Sequence, residues 1–247
     1  MYNTNNQKTT HIFLSGLSLL ALTAFLTFLA LFGYYLWIEV MGSPEEKQEI
    51  FQQFSTQFRE IPENIAYNGE SLSTDEVEAL IYNNTPVLGI ANAPVTIVMF
   101  IDFHCPYCIQ SYETLKSVQE QYGPVLRVVF KHFPVDALDA DATQTAIAAQ
   151  CAQQSGQFWP YYSKIFESEA RDSTTLTAYA HALGIPLDTF QYCIQTEQSK
   201  AHILADIEDG VDVEIRGTPT YIVNGQKIEG AITREQWDTL IIQSLKQ

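Results

Sequence analysis

The chain has 247 residues, 46% of them hydrophobic, and carries 29 acidic against 13 basic side chains, a formal net charge of −16. That length allows one medium-sized domain with an additional segment. So acidic a chain repels phosphate backbones and anionic lipid headgroups, which excludes a nucleic-acid-binding role that depends on charge.

The first predicted element is an uncharged stretch of 27 residues, 12–38. As a helix it would be roughly 40 Å long, which is more than a hydrocarbon core of about 30 Å requires. The apolar region of a secretory signal is shorter, about 7–15 residues, and ends at a small-residue cleavage site. No such site ends this stretch, so the pattern predicts an uncleaved transmembrane signal anchor.

The charges that flank this stretch predict its orientation. Lys8 precedes it, whereas Glu39, Glu45 and Glu46 follow it. Because basic flanks prefer the cytoplasm, residues 1–11 are expected inside and the rest of the chain outside the cytoplasmic membrane of a bacterium. A long signal peptide that is removed remains an alternative, and it would change the anchoring but not the compartment.

Residues 39–85 are predicted to form a tether that contains an amphipathic helix over 45–66. Its apolar residues recur at intervals of three and four, which places them on one helix face: Ile50, Phe51, Phe54 and Phe58. This face could contact the domain, a partner or the bilayer surface. A short helix should begin at Thr74, and the ordered domain is expected to begin near Thr85, spanning 86–247.

The next element is a strand that leads into a pair of cysteines. Val95 to Ile101 is an unbroken apolar run, typical of a strand in the interior of a sheet. Cys105-Pro106-Tyr107-Cys108 follows it and opens a predicted helix that ends at Gly123-Pro124. The predicted inner face of that helix carries Cys108, Tyr112, Leu115, Val118 and Tyr122.

The remaining predicted strands and helices complete an order of elements from which the fold can be predicted. Residues 125–130 form a second apolar strand, which should run parallel to the first because a helix joins them. Residues 136–212 have a helical period throughout, Asn224-Gly225 is a preferred hairpin turn, and Thr233 caps a last helix. This order predicts an α/β, thioredoxin-like fold with a helical insertion at about 136–212, preceded by a single transmembrane helix.

The position of the cysteine pair predicts its chemistry. At a helix start the backbone N–H groups and the helix dipole favour a negative charge, and the thiolate is the reactive form of cysteine. The pair Cys105 and Cys108 is therefore predicted to be a dithiol redox site, with Cys105 exposed and Cys108 shielded. A structural disulfide or a zinc site are the alternatives, although zinc usually requires a second closely spaced pair.

Two further cysteines, Cys151 and Cys193, lie far apart within the predicted helical insertion. In an oxidising compartment two remaining thiols are usually paired, so we predict a structural disulfide between them. Closing a loop of that size contributes at most roughly 4 kcal/mol in the chain-entropy description. The alternative is two buried free cysteines that behave as small apolar residues.

Four motifs together carry a resemblance to a known family: Gly89-x-x-x-Ala93-Pro94-Val95; Phe103-His104-Cys105-Pro106-Tyr107-Cys108; Gly156-Gln157-Phe158-Trp159; and Gly217-Thr218-Pro219-Thr220, followed by Asn224-Gly225. Over residues 86–246 the chain resembles the DsbA-like thiol:disulfide oxidoreductases of the thioredoxin superfamily. It is nearest to their membrane-anchored, BdbD-like type.

This resemblance implies roles for particular residues. Cys105 would be the attacking thiol and Cys108 the resolving thiol. Pro219 would be a cis-proline opposite the dithiol, and Thr218 before it could pair its backbone with an extended substrate strand. The residues expected to contact substrate are Thr218, Pro219, Pro106 and Tyr107. Because Tyr107 adds no positive charge beside the thiols, we expect an oxidant of intermediate strength.

The chain departs from the family at one position. Many relatives carry a carboxylate six residues before the first cysteine, where this chain has Met99. Asp102, Lys131 or water are then left as candidates to move the proton of the resolving thiol, although Asp102 could equally be a solvated loop carboxylate. His104 could add positive charge beside Cys105, or it could be a solvated histidine without a role.

The sequence thus predicts an extracytoplasmic thiol:disulfide oxidoreductase that oxidises cysteines of exported proteins. Its resemblance implies recycling by a DsbB-like or VKOR-like, quinone-coupled membrane oxidase. Neither a soluble cofactor nor a metal is expected. A disulfide reductase or isomerase of the same fold, and a non-catalytic binding or chaperone module, are the alternatives.

Overall fold

The computed structural model of the chain describes Thr27, residues 71–135 and residues 139–246. Apart from Thr27, the predicted signal anchor over 12–38 and the predicted helix over 45–66 lie outside the described residues and stay predictions. Among the helices that are described, none combines the length and the apolar character needed to cross a membrane.

The described elements are helices and strands in an order close to the predicted one. In chain order they are α1 (Thr74–Ala79), β1 (Val87–Gly89), β2 (Val95–Ile101), α2 (Pro106–Tyr122), β3 (Leu126–His132), α3 (Ala142–Gln154), α4 (Phe158–Phe166), α5 (Ser173–Ala182), α6 (Leu187–Gln195), α7 (Glu197–Asp212), β4 (Thr220–Val223), β5 (Gln226–Glu229) and α8 (Arg234–Ser244). The strands form one sheet in the order β1-β3-β2-β4-β5.

The centre of the sheet is the predicted β-α-β unit. Strands β2 and β3 pair in parallel, whereas β1, β4 and β5 each join the sheet antiparallel. The β4–β5 hairpin turns at Asn224 and Gly225, both with positive φ (45° and 87°). The Asn224 side chain accepts a hydrogen bond from Thr96 N (2.7 Å) and donates one to Pro94 O (3.0 Å), so the hairpin is tied to the start of β2.

Helices cover both faces of the sheet, because alternate residues of a strand point to opposite sides. On one face Phe100 and Ile222 pack in a cluster with Val77 and Leu80, which belong to α1 and the residue after it. On the other face Tyr221 packs against Trp237 of α8, with ring centroids 4.9 Å apart. The inner side of α2 also packs on this second face, so the dithiol lies on the Tyr221 side of the sheet.

The helical insertion runs from α3 to α7, between β3 and β4, and confirms the predicted helical block. A disulfide joins Cys151 of α3 to Cys193 of α6, with a sulfur–sulfur distance of 2.04 Å, which confirms the predicted pairing. Both cysteines are buried, and Ser199 Oγ lies 3.0 Å from Cys193 Sγ. The bridge fixes the first helix of the insertion to a later one.

The ordered domain begins before the predicted position near Thr85. Ser73 and Glu76 form a capping box at the start of α1, and Leu72 N donates to Gly225 O at 2.9 Å. Val77 is buried in the sheet-face cluster, so α1 belongs to the domain and not to a tether. Strand β1 was also not predicted from the sequence, because a strand of three residues is too short to show an alternating pattern of apolar and polar side chains.

A buried ion cluster centred on Lys131 joins β3 to α7 on the face of the sheet opposite α2. The Lys131 ammonium lies 2.5 Å from an Asp206 carboxylate oxygen and 2.6 Å from an Asp209 oxygen. It donates to Leu80 O at 2.9 Å and lies 4.2 Å from the centre of the Tyr82 ring. Because buried charges are tolerated only when they are paired, this cluster fixes α7 and the residues after α1 to the sheet.

Replacing the cation of this cluster should destabilise the fold. Lys131→Met leaves the fully buried Asp206 carboxylate and the partly buried Asp209 carboxylate without their counter-charge, so the free energy of unfolding in urea should fall by about 3–5 kcal/mol. Lys116→Met is the matched control, since it breaks a half-exposed pair with Glu167 (2.9 Å) and should cost less than about 1 kcal/mol. Equal effects of the two variants would contradict this account of the cluster.

Removing the disulfide should also destabilise the domain. The double variant Cys151→Ala with Cys193→Ala frees a loop whose ends lie 42 positions apart, and should lose up to about 4 kcal/mol of unfolding free energy. Urea unfolding under oxidising conditions measures the loss. Reductant should abolish most of the difference from the unsubstituted protein, and an unchanged unfolding midpoint would refute the stabilising role.

Candidate active site

The dithiol lies where the central strand β2 ends and α2 begins. Asp102, the residue after β2, is 2% exposed, and its carboxylate accepts hydrogen bonds from His104 N (2.8 Å) and Val135 N (3.1 Å). Its carbonyl accepts one from Cys105 N at 3.2 Å. Asp102 is therefore not a solvated loop carboxylate, and its hydrogen bonds shape the turn that makes Cys105 the N-cap of α2.

Cys105 and Cys108 are both free thiols on the first turn of α2. Pro106 occupies the first turn of the helix, where an N–H has no partner within the helix and its loss costs nothing. The N–H groups at a helix start have no carbonyl to bind, so they are available to a negatively charged sulfur. The arrangement therefore favours a thiolate on Cys105.

The two thiols ionise at very different pH. The hydrogen bond from the Cys108 thiol is the largest of the effects that lower the pKa of Cys105 from 9.0 to about 5; burial opposes it, and Thr218 and the N–H groups of Cys108 and Tyr107 support it. Burial raises the pKa of Cys108 well above 9.0, and its hydrogen bond to Cys105 and the Cys105 charge raise it further. At neutral pH the pair therefore holds one thiolate and one thiol.

The prediction that Cys105 is exposed is wrong. The residue is 4% exposed, only slightly more than Cys108 at 2%. The loop before β4 covers it, with Thr218 O at 3.1 Å from the Cys105 sulfur. Tyr107 between the two cysteines is 63% exposed, so the surface beside the sulfur is open although the residue itself is covered.

The loop that covers Cys105 is held by its own hydrogen bonds. The peptide bond between Thr218 and Pro219 is cis, as the resemblance implied. Thr220 Oγ1 donates to Gly217 O at 2.7 Å, and Gly230 N donates to Pro219 O at 2.8 Å. These contacts hold Thr218 beside the dithiol, with its carbonyl oxygen 3.1 Å from the Cys105 sulfur.

His104 is bound on both sides of its ring. Its Nδ1 lies 2.7 Å from an Asp139 carboxylate oxygen, and its Nε2 lies 2.8 Å from Thr145 Oγ1. The alternative of a solvated histidine is therefore excluded, and any positive charge on the ring is balanced by Asp139. No pattern in the sequence indicated Asp139 or Thr145, because they come from a distant segment.

Lys131 does not serve the dithiol. Its ammonium is bound by Asp206, Asp209 and Leu80 O on the face of the sheet opposite α2. As a candidate for moving the proton of Cys108, Lys131 is therefore excluded. The position of Lys131 at the end of β3 did not exclude it beforehand, because strand alternation does not reveal which helix covers which face of the sheet.

At position 99, where many relatives of the DsbA-like type carry a carboxylate, this chain has an apolar side chain. Met99 is fully buried and pairs with Tyr221 across the antiparallel β2–β4 ladder. Tyr221 is also fully buried; burial raises the pKa of its hydroxyl, and a hydrogen bond with Ser111 opposes that rise. No sequence motif marks Tyr221, which follows the pattern of an ordinary strand residue.

The remaining candidate groups are structural. Phe158, Tyr161 and Tyr162 of α4 are buried, so this aromatic helix packs in the core. The disulfide between Cys151 and Cys193 removes both from any zinc site. In the part of the chain that the structure describes, no group of three or more His, Cys, Asp or Glu side chains is arranged to hold a metal.

The low pKa of Cys105 makes the stability of the reduced protein depend on pH. A thiol whose pKa falls from 9.0 to about 5 on folding stabilises the reduced state above pH 9, and that stabilisation is lost as the pH falls through 5. The melting temperature of the reduced form, relative to the oxidised form, should therefore rise as the pH increases from 5 towards 9. Ultraviolet absorbance of the thiolate should titrate near pH 5.

Cys105→Ser is the control for this titration, because it leaves only Cys108, whose pKa lies well above 9.0. The absorbance step near pH 5 should disappear in this variant. A single step near pH 9 in the unsubstituted protein would contradict the assignment of the thiolate to Cys105.

Comparison with solved structures gives the same fold. A thioredoxin-like oxidoreductase from Silicibacter pomeroyi superposes with a TM-score of 0.63 at 22% identity, covering 71% of this chain and 99% of that chain. Oxidised BdbD from Bacillus subtilis superposes with a TM-score of 0.59 at 23% identity, covering 74% of this chain and 100% of that chain. At these identities the likeness concerns the fold.

Comparison with curated sequences finds a domain within longer proteins. A region of the Na⁺/H⁺ antiporter NhaA 3 of Salinispora tropica is 32% identical over 146 residues, covering 58% of this chain and 22% of the antiporter. The chain therefore spans about a fifth of the length of that relative. The sequence profile of the thioredoxin family matches residues 82–243. The chain belongs to the thioredoxin family, and its fold is the one that its resemblance to the DsbA-like thiol:disulfide oxidoreductases predicted.

Proposed function

We propose that the chain is a thiol:disulfide oxidoreductase that oxidises cysteines of exported proteins through Cys105 and Cys108. The observation that carries this proposal is the placement of two free thiols at the start of α2, with Cys105 at the N-cap, Cys108 buried one turn on, and Thr218 O of the cis-proline loop 3.1 Å from the Cys105 sulfur. The lowered pKa of Cys105 and the raised pKa of Cys108 support it. Thiol exchange needs both a stable leaving thiolate and a second thiol that is held close, and this pair supplies both.

The first step begins from the oxidised pair. A substrate thiolate attacks the Cys105 sulfur, the bond between Cys105 and Cys108 breaks, and a mixed disulfide joins the substrate to Cys105. The electron pair of the broken bond leaves on Cys108, which takes up a proton because its pKa lies well above 9.0.

The second step releases the oxidised substrate. A second substrate thiolate attacks the substrate sulfur of the mixed disulfide, and Cys105 leaves as a thiolate. Two substrate thiols have then lost two electrons to the pair. The low pKa of Cys105 makes its sulfur a good leaving group, because the departing charge is already stabilised by hydrogen bonds.

The same stabilisation favours oxidation over reduction. Hydrogen bonds to the Cys105 thiolate stabilise the reduced form of the protein, which makes its disulfide the stronger oxidant. Substrate contact is assigned to Thr218 and Pro219 on one side of the sulfur and to Pro106 and the exposed Tyr107 on the other. An extended substrate segment beside Thr218 would form backbone hydrogen bonds as an added strand does.

The proposal includes a place in the cell and a partner. The predicted anchor over 12–38 would hold the domain on the outer side of the cytoplasmic membrane, with residues 1–11 inside. A pair that stores two electrons must pass them on, and a DsbB-like or VKOR-like quinone-coupled membrane oxidase is the class of partner that the resemblance suggests. A match described as a periplasmic thioredoxin-like protein, from Salmonella enterica, supports the compartment.

The proposal is tested by oxidation of a reduced, unfolded ribonuclease. The oxidised protein should form disulfides in stoichiometric amounts without added oxidant, and Cys105→Ala should reduce the rate to that of the uncatalysed reaction. The double variant of Cys151 and Cys193 is the matched control and should keep the activity when it is folded. Equal rates with and without Cys105 would refute the proposal.

A trapping variant tests the order of the steps. Cys108→Ser keeps the attacking sulfur and removes the resolving one, so mixed disulfides with client proteins should accumulate on Cys105 and can be identified by mass spectrometry. A redox potential as low as that of thioredoxin, with activity only in the presence of reductant, would instead support a reductase. Complementation in cells that survives the loss of both thiols would support a binding module.

A further inference from the structure

We propose that Lys131 of β3 and Asp206 of α7 form an amide bond, which links the two elements covalently. The bond joins the Lys131 Nζ to the carboxyl carbon of Asp206, and one water molecule is released. The site lies on the same face of the sheet as Phe100, which is aligned with Lys131 and packs in a cluster with Val77. This face is opposite α2, so the inference is independent of the function proposed for the dithiol.

The two reacting groups are in contact and are shielded from water. The Lys131 nitrogen lies 2.5 Å from Asp206 Oδ1, and both side chains are 0% exposed. The cost of removing two charges from water can exceed their mutual attraction, so a buried ion pair is a costly state. An amide has no net charge and avoids this cost. Burial therefore favours the linked pair over the ion pair.

A second carboxylate is placed to transfer protons. Asp209 Oδ2 accepts a hydrogen bond from Lys131 Nζ at 2.6 Å. The Tyr82 hydroxyl donates to the same oxygen, and the centre of the Tyr82 ring lies 4.2 Å from the nitrogen. Asp209 is therefore held in position to take a proton from the nitrogen and to return it to the departing oxygen, as a general base and then a general acid.

Two backbone groups fit the transition state and the product of this reaction. His132 N donates to Asp206 Oδ2 at 2.9 Å, which places a donor at the oxygen that gains negative charge when the nitrogen adds to the carboxyl carbon. The same donor then binds the amide carbonyl. Lys131 Nζ donates to Leu80 O at 2.9 Å, and the amide N–H keeps this acceptor. Both polar atoms of the amide therefore have partners.

The reaction balances within this cluster of side chains. The Lys131 ammonium gives one proton to Asp206 Oδ1, which leaves a neutral amine beside a carboxylic acid. The lone pair of the desolvated amine attacks the carboxyl carbon, and a bond between nitrogen and carbon forms. Asp209 takes a second proton from the nitrogen and passes it to Oδ1, and the bond between the carbon and Oδ1 breaks as water leaves. Asp209 ends as a carboxylate, and nothing is oxidised or reduced.

Burial also favours the carboxylic acid form that the attack requires. It raises the pKa of Asp206 to about 6, although Lys131 opposes the rise. His202 Nε2 lies 3.6 Å from Asp206 Oδ2, but burial lowers the pKa of His202 to about 4, and the charge of Lys131 adds to this effect. His202 is therefore neutral at physiological pH and does not hold Asp206 as an anion.

The intact mass of the protein, measured after denaturation and complete reduction of disulfides, tests the inference. It should be lower than the mass of the sequence by one water molecule, because an amide survives denaturant and reductant. In a tryptic digest Lys131 should resist cleavage, and its peptide should be joined to the one that contains Asp206. Lys131→Met should have the full mass of its sequence. A full mass in the unsubstituted protein would overturn the inference.

One other reaction gives the same loss of mass, and the digest distinguishes it. An aspartate that precedes a glycine can close to a cyclic imide with loss of water, and Asp209 precedes Gly210. In that case trypsin cleaves after Lys131, and the missing water belongs to a single peptide that contains Asp209. That result, or a link between Lys131 and a residue other than Asp206, would also overturn the inference.

Asp209→Asn removes the proton carrier and keeps both reacting groups. Followed by intact mass after cell-free synthesis, its linkage should be roughly 100-fold slower, the effect of losing one general acid–base group, and circular dichroism verifies its folding. Lys116→Met is the matched control: its pair with Glu167 (2.9 Å) is half-exposed, so this variant should lose one water molecule as the unsubstituted protein does. Linkage of Asp209→Asn at the unsubstituted rate would contradict the mechanism.

Discussion

One hydrogen bond, from the Cys108 thiol to the Cys105 thiolate, is the interaction on which the site depends. It is the largest contribution to the low pKa of Cys105, and it raises the pKa of Cys108 in turn. The pair therefore separates the two roles that exchange requires, a sulfur that carries charge easily and a sulfur that keeps its proton. Helix geometry makes this possible, because residues three apart lie one turn from each other.

The fold brings two distant segments together around that bond. Strand β2 delivers the cysteines to the start of α2, the Asp102 side chain shapes the turn between them, and the loop before β4 brings Thr218 to 3.1 Å from the Cys105 sulfur. The β4–β5 hairpin is in turn tied to β2 through Asn224. The helix start and the paired strands therefore both act on the sulfur of Cys105.

The two faces of the sheet have different roles. The face beneath α2 carries Met99 and Tyr221 and surrounds the resolving thiol with apolar side chains, which keeps Cys108 protonated. The opposite face carries the Lys131 ion cluster, which fixes α7 and the residues after α1. The disulfide between Cys151 and Cys193 stabilises the insertion. Buried ion pairs thus stabilise the scaffold on one face of the sheet, whereas buried side chains on the other face surround Cys108 and raise its pKa.

Local patterns in the amino-acid sequence were sufficient to predict much of the fold and part of the active site. Apolar runs, the cysteine spacing and the Asn224-Gly225 turn predicted the β-α-β unit, the dithiol, the helical insertion and the hairpin, because each depends on residues close in sequence. The covering of Cys105, the partners of His104 and the side of the sheet on which Lys131 lies were decided by tertiary packing. Each depends on which distant segment approaches a residue, and strand period alone does not reveal the layer that packs on either face.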